Sequence, residues 1–424
     1  MYLTDLALND FRSYDDVLLH FEPGVVTFVG ENGQGKTNLV EAIAYLATFT
    51  SHRVVSDTAL VRQSCSAGVV RAKVRRGHSE TIVEVEIYAG RANRARINRG
   101  NVRPAEVLGI IRCVVFAPED IDLVRDDPAG RRKFLDTLMV QLRPGLAAVK
   151  SEYDKVLRQR GALLKTLAKS RRRGMIIDYT SLDIWDQQLA RLGAQIIAAR
   201  AQMIHDLRPF VMDYYTDVSG GRGIARIDYA ANIDKRLGRE LPDPAQRTDP
   251  QVCAQRDLYE NELTDTVSVE KKLRELLSTW HDEEIARGVN LVGPHRDDLE
   301  LTLGSLPAKG FASHGESWSY ALALRLGAWE LLRRQADDED DEPILILDDV
   351  FAELDTRRRT RLAEIVTQAQ QVFVTAAVGD DLPDLGGIRF RVHAGHVVQD
   401  SDISTQVENE GTRERFSEQA VTEK

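Results

Sequence analysis

The octapeptide GENGQGKT at residues 30–37 constrains the fold of this chain more than any other segment. It matches the pattern G-x-x-x-x-G-K-[ST] and directly follows an apolar run that includes Val25, Val26 and Phe28, so it is predicted to join a buried strand to a helix. Glycines let the backbone N–H groups of such a loop point at phosphate oxygens, and the helix N-terminus adds positive charge. The segment therefore predicts an α/β fold that binds a nucleoside triphosphate.

Each position of this phosphate loop has a predicted part in binding ATP and Mg²⁺. Lys36 is expected to reach the β- and γ-phosphates, and it is counted among both the binding and the catalytic residues. The hydroxyl of Thr37 is expected to hold Mg²⁺. The other predicted ATP-binding positions of the loop are Gly30, Glu31, Asn32, Gly33, Gln34 and Gly35.

A second segment, ILILDD at residues 344–349, reads as a buried strand that ends in two acids. Asp348 is expected beside the phosphate loop, where it would hold Mg²⁺ directly or through water. Asp349 would point toward the γ-phosphate and orient the attacking water, so it is the predicted catalytic acid. Alone, the run could be a core strand followed by a turn, but together with the phosphate loop it indicates ATP hydrolysis.

A third segment, SHGE at residues 313–316, opens a predicted helix and offers another anion site. In ABC ATPases this position carries an S-x-G-Q signature that touches the nucleotide held by a second subunit, so Ser313 and Gly315 are predicted ATP-binding residues. Glu316 replaces the usual Gln, and a plain N-cap turn is the alternative interpretation. The later run FAELD resembles a loop of these enzymes in which Asp355 would face a dimer interface.

Composition limits the class of protein and its partners. The chain has 424 residues, enough for two or three domains, and no apolar run approaches the length of a membrane span. The N-terminus lacks a signal-peptide pattern. The three widely spaced cysteines form no metal-ligand pair and are too few for a disulfide framework, so we expect a cytoplasmic protein without membrane association. A net charge of −10 means that any DNA binding needs a local basic patch.

The order of patterns along the chain predicts an ATPase head interrupted by a helical insertion. Residues 1–126 read as the first, β-rich part of the head, and residues 291–398 as its second part. Residues 399–424 are acidic and predicted to be a disordered tail, and the acidic run at 337–342 a solvated loop. We expect residues 218–250 to form loops, because they are rich in Gly, Pro, Asp and Arg.

Residues 127–290 are predicted to form the inserted helical lobe. Asp127 suits a helix N-cap and Pro128 the first helical position, and helix is expected again at about 268–287. One seam steps by alternating fours and threes, which is typical of coiled-coil packing. A short antiparallel hairpin and an ordinary helical bundle both fit this seam, whose residues are Trp185, Leu189, Leu192, Ile196, Ala199 and Met203.

The separation of the two half-sites indicates the class of ATPase. From Lys36 to Ser313 the chain runs 277 residues, much more than in a transporter ATPase. A long helical insertion at this place resembles the SMC group of DNA-maintenance ATPases, although it is too short for their coiled-coil arms. We see no additional acidic cluster in a metal-site order that would indicate a nuclease.

The chain closely resembles the RecF family, bacterial proteins of recombinational DNA repair, over about residues 1–395. The resemblance implies an ABC-type ATPase head with an inserted helical lobe and a protein that binds DNA in an ATP-dependent manner during repair and replication restart. The segments that carry it are NDFRSY at 9–14, GENGQGKTNLVEAI at 30–43, FAPEDIDLVRDDPAGRRKFLD at 116–136, GPHRDDLEL at 293–301, SHGESWSYALALRLG at 313–327 and ILILDDVFAELD at 344–355.

The same resemblance implies partners. An ATP-driven homodimer would bind double-stranded DNA near gaps or junctions and help to load RecA together with RecR and RecO. The alternative is an SMC-like structural DNA tether with incidental ATPase activity. Two departures from the wider ABC pattern predict slow hydrolysis: Glu119 or Asp120 stands where a Gln is usual, and no His follows the strand that ends at Thr375.

The candidate DNA contacts lie in a basic hairpin with its turn expected near Gly100 and Asn101. Its arginines could follow a phosphate backbone, and a solvated hairpin is the alternative. Arg12, His295 and Arg296 could each approach the nucleotide or have a structural place. The arginines of the hairpin are Arg91, Arg94, Arg96, Arg99 and Arg103.

Overall fold

The computed structural model describes residues 1–400 except 52, 55, 177–178, 222, 248, 337–340 and 378–381. Two compact units divide the chain: residues 1–118 together with the chain after residue 335, and residues 119–335. The domain boundaries predicted from the sequence differ from this division. The prediction placed residues 291–335 in the ATPase head, whereas in the structure they belong to the second unit. The predicted tail after residue 400 lies outside the described residues.

An antiparallel sheet of six strands forms one layer of the first unit. Its order is β2-β1-β4-β5-β6-β7, and the apolar residues that alternate along β1, β4 and β5 are buried on one face. The strands are β1 (Tyr2–Phe11), β2 (Tyr14–His20), β4 (Ala67–Arg76), β5 (Ser79–Tyr88), β6 (Arg94–Ile97) and β7 (Gly100–Val102).

The second sheet of this unit carries the phosphate loop. Its order is β15-β14-β3-β13-β12-β8, and the strands from β14 to β8 run parallel. Helix α1 (Lys36–Thr48) follows β3, and α10 (Thr356–Val366) follows β12. The strands are β3 (Gly24–Val29), β8 (Cys113–Phe116), β12 (Ile344–Asp348), β13 (Gln371–Ala376), β14 (Ile388–His393) and β15 (His396–Gln399).

Eight helices and three strands form the described part of the second unit. The strands pair in the order β11-β10-β9. The helices are α2 (Asp122–Arg125), α3 (Pro128–Leu142), α4 (Leu146–Arg172), α5 (Thr180–Ser219), α6 (Asn232–Arg236), α7 (Pro250–Thr264), α8 (Thr266–Arg287) and α9 (His314–Arg334). The strands are β9 (Ala225–Ala230), β10 (Asp298–Leu303) and β11 (Leu306–Pro307). Short 3₁₀ turns of the two units include Asp57–Leu60, Pro104–Glu106, Pro118–Ile121, Pro244–Gln246, Pro294–Arg296 and Phe351–Glu353.

Helix α5 is the central helix of a bundle, which decides between the two interpretations of its seam. It packs against α4, α7, α8, α9 and strand β9, so apolar residues outside the seam, such as Ile197 and Ile204, are also buried. A two-helix coiled coil would bury only one stripe. The predicted helix start is confirmed, since α3 begins at Pro128 with Asp127 as its N-cap, but the second unit itself begins at residue 119, ahead of the predicted lobe boundary.

Two predictions about loops are wrong in part. The segment at 218–250, which was expected to form loops, contains β9 and α6. The strand pattern in ARIDYA is hard to recognise in the sequence, because its alternation is short and lies among glycines and prolines. The acidic run at 337–342 extends beyond the described residues, but Asp341 is buried and pairs with Arg112 and Arg76 instead of facing solvent. No helix in the described ranges is long and apolar enough to cross a membrane.

Candidate nucleotide-binding site

The glycines of the phosphate loop are required by close packing as well as by backbone conformation. A Cβ atom on Gly30 would lie 2.2 Å from the carbonyl oxygen of Val392 on β14, so only glycine fits there. Gly35 has φ +112°, and a Cβ atom on it would lie 2.9 Å from the hydroxyl oxygens of Ser13 and Tyr14. The loop therefore keeps its curled backbone by contact with β14 and with the turn after β1.

The ammonium group of Lys36 lies inside the loop. It donates hydrogen bonds to the carbonyl oxygen of Gly30 at 2.7 Å and to that of Glu31 at 3.1 Å, and it lies 3.5 Å from Oδ1 of Asn32. Only 3% of the Lys36 surface is exposed. A compact cation that is fixed at the centre of a ring of backbone groups suits the binding of a polyphosphate.

Strands β3 and β12 bring the phosphate loop and the acidic strand together. Strand β13 lies between them, and the carboxyl ends of parallel strands share one sheet edge. The hydroxyl of Thr37 donates to Oδ1 of Asp348 at 3.0 Å. This contact joins two predicted Mg²⁺ ligands that are 311 residues apart in the chain.

Thr375 on β13 belongs to the same cluster, although its only distinctive feature in the sequence is that no His follows its strand. Its hydroxyl donates to Oδ1 of Asp348 at 2.6 Å, and it accepts a hydrogen bond from the backbone N–H of Asp349 at 2.9 Å. Asp349 has φ +53°, a left-handed conformation that is uncommon outside glycine. The single hydroxyl of Thr375 thus holds both acidic residues.

The oxygen atoms of this cluster fit a hard divalent cation. Mg²⁺ prefers carboxylate and hydroxyl ligands and usually binds to one or two carboxylates together with substrate phosphates. Thr37 and Asp348 supply these two donor types within hydrogen-bond distance of each other. They could therefore bind the same ion next to a nucleotide in the phosphate loop.

The hairpin of β14 and β15 supports the loop from its other side. Gln34 accepts a hydrogen bond from Ala394 N–H at its side-chain Oε1, at 2.6 Å, and one from Gly395 N–H at its backbone oxygen, at 3.4 Å. No local sequence pattern indicated this contact, because the partners are 360 residues apart. The side chain of Gln34, a predicted ATP-binding residue, is thus hydrogen-bonded to the β14–β15 hairpin.

The turn after β1 packs on α1, and it does not present Arg12 to the phosphate loop as a free cation. Arg12 forms two hydrogen bonds with Glu41, at 2.7 and 2.8 Å, and the Glu41 side chain is fully buried. Tyr14 donates to the carbonyl oxygen of Gly35 at 3.1 Å, and burial raises the pKa of this phenol. Both residues thus fix the position of the helix that carries Lys36 and Thr37.

In the second unit, Ser313 is the N-cap of α9. Its hydroxyl accepts a hydrogen bond from Glu316 N–H at 3.3 Å, and its own N–H donates to the Glu316 carboxylate at 2.8 Å. This capping box explains how Glu is accommodated where ABC enzymes have Gln. Ser313 is exposed, so the cap is compatible with a second contact, and its predicted role in binding ATP stays a prediction.

The two alternatives for the Q-loop position differ in their surroundings. Asp120 is buried and forms an ion pair with Arg325 of α9. Glu119 is exposed. A carboxylate that is committed to a buried pair is poorly placed to contact a nucleotide, so Glu119 is the better candidate of the two.

The basic hairpin is less cationic than its sequence suggests. Arg96 pairs with Glu84 and Glu86 of the neighbouring strand β5, and Arg103 pairs with Glu106 at 2.6 Å. The remaining arginines are exposed, and Arg91 stacks on a tyrosine ring at 3.7 Å. The predicted position of the turn is wrong: Asn98 and Arg99 form it with positive φ, since Ile97 pairs with Gly100.

The segment GPHRDD forms a buried polar network within the second unit. His295 accepts or donates a hydrogen bond with the Tyr153 hydroxyl at 2.8 Å, and burial lowers the pKa of His295 to about 3. Asp298 pairs with Arg131 of α3 at 2.8 Å, and Asp297 with Arg200 of α5 at 3.1 Å. Two of the segments that carry the family resemblance, 116–136 and 293–301, are thereby joined.

One further cluster bears on the nuclease alternative. Asp183, Asp186 and His281 have potential ligand atoms within 4.8 Å of one another, which the sequence order did not reveal. Asp186 is bonded through one oxygen to the buried Arg160 and through the other to His281. Asp186 and His281 are therefore engaged in a buried ion-pair network with Arg160, while Asp183 is exposed, so the cluster gives no support to a nuclease.

Comparisons with known proteins agree with one another. The family described as RecF/RecN/SMC N terminal domain matches residues 2–382. A curated DNA replication and repair protein RecF from Beutenbergia cavernae is 54% identical over 405 residues, which cover 94% of this chain and all of that protein. The RecF protein of Frankia alni is 51% identical over 403 residues and covers 95% of this chain and all of its own.

Solved structures give the same assignment. The recombination mediator protein RecF in the RecFOR pathway, in its ATP form, is 26% identical with a TM-score of 0.78, over 94% of this chain and 99% of that one. An Smc head domain derived from Pyrococcus furiosus is 17% identical with a TM-score of 0.50, over 97% of this chain and 99% of that one. The second similarity is one of fold alone.

Proposed function

Since the chain belongs to the RecF family of DNA replication and repair proteins, we propose that it binds ATP with Mg²⁺, dimerises on the nucleotide and then binds duplex DNA. The observation that carries this proposal is the contact between Thr37 of the phosphate loop and Asp348 of the acidic strand, with Thr375 joined to the same oxygen. An incidental sequence match would not bring these three polar side chains to one sheet edge.

The phosphate loop holds the triphosphate through its backbone N–H groups, at residues 30–37, and through Lys36. Gly33 and Gly35 have the positive φ angles that such a loop needs. Thr37 and Asp348 would hold Mg²⁺, which neutralises charge on the phosphate oxygens when it is bound. ATP binding is also supported by the RecF structure in its ATP form, which has 26% identity to this chain.

Hydrolysis depends on Asp349, which orients the attacking water while Thr375 fixes its backbone. We propose that turnover is slow. The Q-loop position holds a carboxylate, for which Glu119 is the exposed candidate, and no His follows β13 in the sequence. ATP would then act as a switch between monomer and dimer.

A second copy of the chain completes the site through Ser313 and Gly315. The capped N-terminus of α9 is an anion-binding element, and the signature of ABC enzymes touches the nucleotide of the other subunit. Asp355, the exposed N-cap of α10, would face the same interface. Each ATP would be held between two chains in a symmetric dimer.

Dimerisation would combine two weak DNA-binding patches into a stronger site. The patch on each chain would use the arginines of the hairpin that have no carboxylate partner within the described ranges, namely Arg91, Arg94 and Arg99. Arg96 and Arg103, both paired, would contribute less. The dimer would act at gaps or junctions and help to load RecA with RecR and RecO, as the RecFOR pathway of the relative suggests.

The alternative of a structural DNA tether has no comparable support. A tether needs an extended arm, whereas α4 and α5 are packed into the bundle with α8 and α9. The experiment that separates the two functions is DNA binding with and without Mg-ATP, on gapped and plain duplexes, for the parent chain and Lys36→Ala. We expect ATP to strengthen binding, most on gapped DNA, and the variant to lose this effect. Equal binding with and without ATP would contradict the proposal.

A further inference from the structure

A cleft of about 640 Å³ lies in the second unit, away from its signature helix α9. Residues 229–246 form one wall, helix α7 forms another, and Arg296, Asp298 and Glu300 complete the lining. This volume falls in the range of pockets that bind small ligands or single side chains. Apart from Arg296, for which an approach to the nucleotide was one of two interpretations, none of the candidate ATP- or DNA-binding residues lines it.

The cations that line this cleft already have partners. Two of them, Arg239 and Arg256, are held by carboxylates outside the cleft. The contacts are Arg239 with Glu262 at 2.6 Å, Arg256 with Asp228 at 2.9 Å, Arg296 with the carbonyl oxygen of Asn290 at 2.8 Å, and Lys235 with Glu240 at 3.9 Å. An anionic ligand would therefore have to displace existing contacts.

The carboxylates of the wall are also paired, with one exception. Asp298 pairs with Arg131, Glu300 with Arg247, and Glu260 with Arg208, while Oε2 of Glu260 is buried without a hydrogen-bond partner. Asp234 has no side-chain hydrogen bond or ion pair with any residue that the structure describes. The cleft thus carries one carboxylate that has no direct ion-pair or hydrogen-bond partner among the described residues, although Arg239 and Lys272 act on it from a distance.

Burial makes this unpaired charge costly. It raises the pKa of Asp234 to about 6, even though Arg239 and Lys272 act in the opposite direction. Both of these cations are bonded to Glu262 and are not available to Asp234 as ion-pair partners. A cation that entered the cleft could donate hydrogen bonds to the Asp234 carboxylate and so replace the solvation that this group loses on burial. A charged donor forms the strongest such bonds with a carboxylate.

We propose that the cleft around Asp234 binds an arginine or lysine side chain of a partner polypeptide. One unpaired carboxylate matches a single cation, whereas a polyamine would need several. The rest of the wall suits the apolar stem of such a side chain and the neighbouring backbone. The residues that provide this surface are Leu241, Pro242, Val252 and Tyr259.

The test uses the full chain and a short peptide, Ac-Ala-Arg-Ala-NH₂, with binding measured by saturation-transfer NMR. The citrulline peptide of the same shape is the neutral control, and spermidine is the polyvalent control. The variants are Asp234→Asn and, as the matched control, Glu240→Gln, which removes an exposed carboxylate from the same cleft. Melting temperatures establish that each variant is folded.

We expect saturable binding of the arginine peptide, loss of about tenfold or more in affinity for Asp234→Asn and for the citrulline peptide, and little change for Glu240→Gln. Asp234→Asn should melt no lower than the parent, since it removes a half-buried charge without breaking a contact. Equal binding of the two peptides, equal binding by the Asp234 variant, or binding of spermidine alone would each overturn the proposal. None of these results depends on ATP, so they are separate from the test of the proposed function.

Discussion

The hydroxyl of Thr375 donates a hydrogen bond to Oδ1 of Asp348 at a distance of 2.6 Å. The two residues lie at the ends of adjacent parallel strands, β13 and β12, and are paired in register. The same hydroxyl accepts the N–H of Asp349, so one side chain positions both the predicted Mg²⁺ ligand and the predicted catalytic acid.

Removing this hydroxyl should slow hydrolysis more than it weakens ATP binding. We expect Thr375→Val to lower kcat by about tenfold or more, because a hydrogen bond to a charged group is worth ~1.5–3 kcal/mol. Thr375→Ser keeps the hydroxyl and should stay close to the parent. Steady-state ATPase assays with a separate measurement of ATP affinity would check this, and parent-like turnover in the valine variant would show that Thr375 does not position the acids.

The two acids should have separable roles. Asp349→Asn is expected to bind ATP normally and to lose turnover by about a hundredfold, since only the orientation of water is affected. Asp348→Asn should instead raise the Mg²⁺ concentration that is needed for half-maximal activity, because it weakens a metal ligand. Magnesium titrations of both variants distinguish the roles. Normal hydrolysis by Asp349→Asn would place the water-orienting group elsewhere.

Sequence patterns were sufficient to predict those parts of the site that each consist of one short continuous segment. The loop at 30–37 and the acidic strand at 344–349 were both placed correctly, because strand, loop and helix signals are local. Thr375 was not assigned a role, since a polar residue near the end of an apolar strand has no distinctive pattern. Its role depends on which strand lies between β3 and β12, and this is decided by the fold.

The basic hairpin shows the same limit for charge. Its arginines are visible in the sequence, but Arg96 is neutralised only because the register of β5 and β6 places Glu84 opposite it and Glu86 one pair away, opposite Arg94. Likewise, Asn98 and Arg99 form the turn although Gly100 is the stronger turn signal. Strand register depends on pairing across the sheet, which no single segment encodes.

The buried His295 predicts a pH dependence of stability. Its pKa is lowered from 6.5 to about 3, so the folded state keeps the neutral ring while the unfolded state takes up a proton below pH 6.5. The contribution of His295 to the free energy of unfolding is therefore fully present above about pH 6.5. It is lost as the pH falls toward 3, at up to ~1.4 kcal/mol per pH unit.

Denaturant unfolding between pH 7 and pH 4 would check this prediction with His295→Gln and, as a control, His78→Gln. His78 is exposed, so its variant should follow the parent. We expect the His295 variant to be less stable at pH 7, because it changes the contact with Tyr153, but to lose less stability on acidification. Identical slopes for the parent and the His295 variant would mean that another group controls the acid response.

The central claim is that ATP joins two chains through Ser313 and that DNA binding follows from this dimer. Ser313→Asp keeps an N-cap for α9 but places a carboxylate where the triphosphate of the second chain would lie. Ser313→Asn keeps the cap without the charge. Both variants should bind ATP as monomers, because the phosphate loop belongs to the other half-site.

The most direct measurement is light scattering with Mg-ATP, followed by duplex DNA binding under the same conditions. We expect the parent to dimerise, Ser313→Asn to dimerise more weakly, and Ser313→Asp to stay monomeric and lose its ATP-dependent DNA binding. If Ser313→Asp dimerises on ATP like the parent, the shared site is contradicted. If it stays monomeric but binds DNA as well as the parent, the link between the dimer and DNA is contradicted.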